Sequence, residues 1–124
     1  MEFKTDTKDT FSVITPVTEN LDANLSDLLR EKCAELQQNG STNFIVDLSH
    51  CIKMEKSAVN EFIKMHEDFY SAEQSLVFTG INESILSALK ENETDLLLNI
   101  APKMQEAIDI VSMEILERDL FNEE

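Results

Sequence analysis

Phe44-Ile45-Val46-Asp47-Leu48 follows a Ser-Thr-Asn turn and is apolar at every position but one. The run is too short for an ordinary helix, and its lack of alternation marks a strand covered on both faces. It reads as the central strand of a sheet. Phe44, Val46 and Leu48 share one face and Ile45 takes the other, because successive side chains of a strand point oppositely.

Working outward, Phe11 to Val17 reads as a neighbouring strand, and the Thr-rich segment Phe3 to Thr7 as an edge strand. Pro16 lacks a ladder donor, which places that end of its strand at an edge or bulge. Thr18 to Asp22 is a polar turn, and Asp22 or Asn24 can cap a helix that starts there. From Leu25 to Gln38 the apolar positions Leu25, Leu28, Leu29, Cys33 and Leu36 form one helical face, which Gly40 ends in a left-handed conformation. Ser49 to Lys56 reads as a loop. A second helical stripe, Ala58, Val59, Phe62, Ile63, His66 and Phe69, comes next.

Ser75 to Thr79 is another buried strand, and Asn82 caps a short helix carrying Ile85, Leu86 and Leu89. Leu96 to Ile100 is expected as the last strand. Pro102 then opens a long helix with Met104, Ala107, Ile108, Val111 and Ile115 on one side, since a first-turn residue has no intrahelical bond to donate. The order ββαβαβαβα predicts an α/β fold, a mixed sheet joined by right-handed crossovers.

The chain has 124 residues, one domain's worth, and its net charge of −15 comes from 10 Lys and Arg against 25 Asp and Glu. Such a charge excludes a general nucleic-acid binder, whose affinity rests on cations, and disfavours an anionic membrane surface. Leu, Ile, Val and Phe supply 37 residues, enough for a core and too many for a disordered acidic chain. No apolar run approaches a membrane-spanning length, and Met1 to Asp6 lacks a signal architecture, so a cytoplasmic protein is expected.

Groups that could carry chemistry are few. Cys33 and Cys51 stand far apart without metal-site spacing, so no metal is expected. His50 and Cys51 are adjacent in an extended segment and point oppositely. They read as a loop histidine beside a buried cysteine, not a dyad. His66 lies on an apolar stripe with no second ligand within helical reach, and reads as a core-edge histidine. Asp47 ends a buried strand, where it either serves function or holds the following loop. Two glycines in the whole chain leave no phosphate-binding loop, so no nucleotide cofactor is expected. The chain does not read as an enzyme.

Three segments carry a resemblance. They are Val17-Thr18-Glu19-Asn20-Leu21-Asp22, Asn43-Phe44-Ile45-Val46-Asp47-Leu48-Ser49 and Ile52-Lys53-Met54-Glu55-Lys56-Ser57-Ala58. Their order and spacing resemble the STAS family, the domain of bacterial anti-sigma factor antagonists and of sulfate-transporter tails. Its members read Thr-Gly-Glu-Leu-Asp, then Val-Leu-Asp-Leu-Ser, then Phe-Met-Asp-Ser-Ser-Gly before a helix. The resemblance covers about residues 10 to 112, including Pro102-Lys103-Met104-Gln105-Glu106-Ala107, and makes 113–124 a C-terminal helical extension of a single domain, 1–124.

The resemblance implies a mixed sheet with helices chiefly on one face. It also implies a regulatory protein-binding module whose partner is an anti-sigma factor with serine-kinase activity or a related regulatory ATPase. That partner would bind near the start of the second helix, until phosphate added there releases it. Carried onto this chain, the partner surface comprises Asp22, Ser49, Glu55, Lys56 and Ser57. The family's Asp falls on Glu55, its phosphoacceptor serine on Lys56, its second serine on Ser57 and its glycine on Ala58. The first segment loses its glycine at Glu19. The switch is therefore expected to be degenerate, with Ser57 the one remaining candidate for phosphorylation and, by its position, a helix N-cap. The alternative is an accessory subunit of a transport or signalling complex with no anti-sigma partner. Beyond Ser112 the apolar residues Met113, Leu116, Leu120 and Phe121 drift to another helix face, which either folds back or meets another chain as a homo-oligomer contact.

Overall fold

The computed structural model describes residues 2–122. A five-stranded sheet runs in the order β1 (Phe3–Thr7), β2 (Ser12–Pro16), β4 (Phe44–Asp47), β6 (Leu76–Thr79) and β7 (Ile100–Ala101). β1 pairs antiparallel with β2, and every other pairing in this sheet is parallel. β4 is the middle strand. Phe44, Val46 and Leu48 enter one apolar cluster and Ile45 the opposite one, as the unbroken apolar run requires.

Helices α1 (Ala23–Gln38) and α2 (Lys56–Ser71) cover the first face. Leu25, Leu29, Phe62 and Met65 pack there against Ile14, Val46 and Phe78. Phe62 lies 5.0 Å from Phe78, and Phe69 meets Phe44 edge-on at 5.6 Å. Helix α3 (Glu83–Glu91) seats Ile85 and Leu89 against Val59 of α2. Helix α4 (Met104–Asn122) alone covers the second face, through Met104, Ala107, Ile108, Val111 and Ile115 over Ile45, Val77 and Ala101. The helices thus lie mainly on one face.

The caps follow the side chains. Asp22 accepts the Leu25 amide at 2.8 Å, Asn82 accepts that of Ile85 at 2.8 Å, and Gly40 closes α1 at φ +101°.

Four expectations are corrected. The polar turn at 18–22 and the loop at 49–56 each contain a short strand, β3 (Asn20–Leu21) and β5 (Lys53–Met54), and these pair in parallel as a second sheet. Two-residue strands have too few positions for periodicity to register. The expected strand Leu96 to Ile100 is instead a 3₁₀ turn, Thr94–Leu97, followed by β7. Glu93, left-handed at φ 58°, turns the chain there, leaving Leu96 and Leu97 exposed while only Leu98 enters the core. Helix α4 begins after Pro102, because the Ala107 amide bonds to Lys103 O and makes Lys103 the flanking residue. Finally, Ser57 is not an N-cap. That position belongs to Glu55, which makes no side-chain cap bond, and Ser57 is the second residue of α2.

Met113, Leu116, Leu120 and Phe121 stay solvent-facing, with 58–79% exposure, so this stripe does not fold back. The same stretch of α4 is nevertheless anchored on its inner side. Glu114 accepts from Ser75 Oγ at 2.6 Å, Tyr70 Oη at 2.7 Å and Asn99 Nδ2 at 3.1 Å. Arg118 donates to Asn43 Oδ1 at 2.8 Å and Ser75 Oγ at 2.9 Å. Residues 123–124 of the expected C-terminal extension lie outside the described residues.

Candidate partner-binding surface

The second sheet joins two of the segments that sequence reading singled out. The Ile52 and Lys53 amides donate to Glu19 O at 2.7 and 2.9 Å, and the Glu55 amide donates to Leu21 O at 2.8 Å. Asn20 Nδ2 reaches Glu55 Oε2 at 2.7 Å, tying the side chains as well. Residues 18–22 and 52–58, separated by a helix and a strand, thus form one surface beside the first turn of α2. Glu55, Lys56 and Ser57 are all exposed there.

A groove of about 620 Å³ opens between β5 and α3, lined by Asn20, Lys53, Met54 and Glu55 on one side and by Ile85 and Ala88 on the other. The Oδ1 of Asn20 is buried without a hydrogen-bond partner among the described residues. Asp22 and Ser49 do not line this groove. The Asp22 carboxylate is taken up as the α1 cap, and Ser49 sits exposed in the turn after β4. The partner segments read from the sequence contain Asn20 and Met54 without naming them as site residues, and Ile85 and Ala88 of α3 were not placed there at all. Each looks like ordinary loop or core composition until the chain brings them together.

The other candidate groups resolve into structural roles. Asp47 Oδ1 accepts the Ser49 amide at 3.0 Å, so it holds the loop. Gly80 passes close over that carboxylate at φ +74°, and a Cβ there would lie 2.5 Å from Asp47 Oδ1. His50 is exposed and Cys51 buried, as two residues on opposite sides should be. Burial pushes the thiols of Cys33 and Cys51 up to about 12 and about 11, so neither is a thiolate nucleophile near neutrality. Among the described residues, no three His, Cys, Asp or Glu are placed to hold a metal ion, and no helix is long and apolar enough to cross a membrane.

His66 stacks on Tyr70 at 4.5 Å, and its Nδ1 is buried without a hydrogen-bond partner among the described residues. Burial holds its pKa below 6.5, opposed by the charges of Glu114 and Glu67. Tyr70 is pushed up to about 12, chiefly by burial. Because the unfolded imidazole takes up its proton first as pH falls, His66 costs stability progressively from about pH 6.5 down to its lower folded pKa. Denaturation midpoints between about pH 7.5 and 5.5 are expected to fall more steeply for wild type than for His66→Gln. Parallel curves would show that His66 has no such linkage.

An exposed helix start thus lies beside a short second sheet, on a mixed sheet whose helices sit mainly on one face. The model of the STAS domain matches residues 2–107, and the chain belongs to that family. A comparison with curated proteins gives no match. Among solved structures, a Thermotoga maritima protein described as an anti-sigma factor antagonist is similar at 16% identity and TM-score 0.76, over 89% of this chain and 94% of that one. An RsbS variant of Moorella thermoacetica is similar at 18% identity and TM-score 0.72, over 95% and 99%. The anti-sigma factor antagonist SpoIIAA in its unphosphorylated form is similar at 16% identity and TM-score 0.67, over 90% and 96%. At these identities the likeness establishes the fold.

Proposed function

We propose that this chain is a non-enzymatic protein-binding module of the anti-sigma antagonist type, and that its binding is not governed by phosphate. Its partner is an anti-sigma factor with serine-kinase activity or a related regulatory ATPase. Docking is across β3, β5 and the first turn of α2. The observation that carries this reading is Lys56, exposed as the first residue of α2, where the family pattern has its phosphoacceptor serine. A lysine cannot accept phosphate there and already carries the opposite charge.

In a switched relative, a charge near −2 at a packed interface is repelled or desolvated, and losing about 2.7 kcal/mol that way weakens binding about a hundredfold. Ser57 could replace the missing hydroxyl only if a kinase accepted a shift of one residue, about 100° around the helix. The other reading, an accessory subunit of a transport or signalling complex, draws no support from neighbours that are anti-sigma factor antagonists.

Intact-mass analysis of the protein from its native cell is expected to show an unmodified chain, and Ser57→Asp to change partner affinity by less than about tenfold. A substantial fraction phosphorylated at Ser57, together with partner binding lost in Ser57→Asp, would overturn the reading.

A further inference from the structure

Strand β1 is an open edge of the main sheet. It pairs with β2 on one side, and among the described residues no strand lies on the other. The bonds at its two ends fix which way its main chain faces. The Val17 amide donates to Glu2 O at 2.9 Å, and the Lys8 amide donates to Phe11 O at 2.8 Å. Bonded and non-bonded pairs alternate along an antiparallel ladder, so Glu2, Lys4, Asp6 and Lys8 turn their main-chain groups towards β2. Pro16, which has no N–H, accordingly stands opposite Phe3 in a non-bonded pair. The N–H and C=O of Phe3, Thr5 and Thr7 therefore face outwards, on a strand exposed from Lys4 to Thr7.

A free edge is a template for another strand, and charge commonly guards it. On β1 the charges select a partner instead. Glu2, Lys4, Asp6 and Lys8 are exposed, share one face of the strand and alternate in sign. Asp6 and Lys8 lie 3.1 Å apart on that face. Antiparallel pairing with a second β1 brings the outward groups of Phe3, Thr5 and Thr7 together, which leaves only registers that differ by two residues. With Thr5 opposite Thr5 of the second copy, Phe3 meets Thr7, Lys4 meets Asp6 and Glu2 meets Lys8. Every charged pair is then of opposite sign. A slip of two residues one way sets Lys4 against Lys4 and Glu2 against Asp6. The other way it sets Asp6 against Asp6 and Lys4 against Lys8. Directly opposed like charges disfavour both slips. The four charges also cancel within the strand, although the whole chain carries −15. Repulsion between the rest of the two copies is screened beyond about 8 Å at physiological salt.

We propose that β1 is a self-association edge. A second copy of this chain adds antiparallel across it with Thr5 on the two-fold axis, and the two sheets become one.

Sedimentation of the full chain at physiological salt, up to about 1 mM, is expected to show a monomer–dimer equilibrium. Lys4→Asp and Asp6→Lys should each weaken the dimer at least about tenfold, because each opposes like charges across the axis. An equimolar mixture of the two variants should associate again, and so should the double variant Lys4→Asp with Asp6→Lys, since both restore opposite signs at every pair. Thr5→Pro removes an outward N–H, spares the ladder to β2 and should also give a monomer. These residues are exposed, so circular dichroism should show each variant folded. In a sample mixed from labelled and unlabelled chains, NMR contacts between the α protons of Lys4 and Asp6 of different copies fix the register. A chain that stays monomeric throughout, or single variants that dimerise like wild type, would overturn the proposal. So would a dimer that only Leu116→Glu dissolves, which places the contact on α4.

Discussion

A Val46→Asp chain is expected not to fold. Val46 has 0% exposure and sits mid-strand in β4, flanked in the sheet by Ile14 of β2 and Phe78 of β6, which are themselves buried. Its side chain enters the cluster that α1 and α2 close with Leu25, Leu29, Phe62 and Met65. None of these residues offers a donor or a cation. A carboxylate placed there costs several kcal/mol whether it stays charged or takes up a proton, and a domain of this size has about 5–15 kcal/mol in all.

Val46→Ala is the control. It removes two methyl groups without adding charge, and should cost about 2 kcal/mol while keeping a cooperative transition. Circular dichroism during denaturant titration separates the two variants. A soluble, cooperatively unfolding Val46→Asp protein would mean that β4 is not central.

The same strand shows what the sequence could reveal. Five residues without alternation identify a two-sided strand, because only burial on both faces accounts for them. The helices were legible for a similar reason, since their stripes repeat over three or four turns. Where the reading failed, the elements were too short to carry a period. β3 and β5 have two residues each, and their pairing depends on amides of Ile52, Lys53 and Glu55 finding Glu19 O and Leu21 O across thirty or so positions of chain.

Leu96-Leu97-Leu98 misled in the opposite sense. The run looks like a buried strand, yet a left-handed Glu93 turns it into a single helical loop with one leucine inside. Ser57 was misjudged by two positions, enough to move a hydroxyl from cap to exposed first turn. The partner surface was therefore legible as a set of segments and illegible as a groove. Its walls come from β5 and α3, which no local pattern connects.

The far half of α4 gives the second large effect. Sequence reading separated 113–124 from the core because its apolar residues leave the packed stripe. The structure shows that its polar residues do the opposite. Ser75 has 0% exposure, and both Glu114 and Arg118 bond to its hydroxyl, while Glu114 also receives Tyr70 and Asn99. Ending the chain at Ser112 strands these groups at the N-terminal ends of β4 and β6 and removes Ile115 from the second cluster. Each buried polar group left unpaired costs about 1–3 kcal/mol, although water will reach part of this edge, so truncation should cost about 3–4 kcal/mol.

For a domain of this length that corresponds to a fall in Tm of roughly 10–20 °C. Glu114→Ala should account for about 2 kcal/mol of the loss, whereas Leu116→Glu on the solvent side should change monomer stability by less than about 0.5 kcal/mol. Thermal melts of the three variants, with sedimentation on the same samples, check the assignment. A truncated chain as stable as the full one would remove the anchoring role from Glu114 and Arg118. A fall in mass on Leu116→Glu would show that a second copy covers the outer stripe.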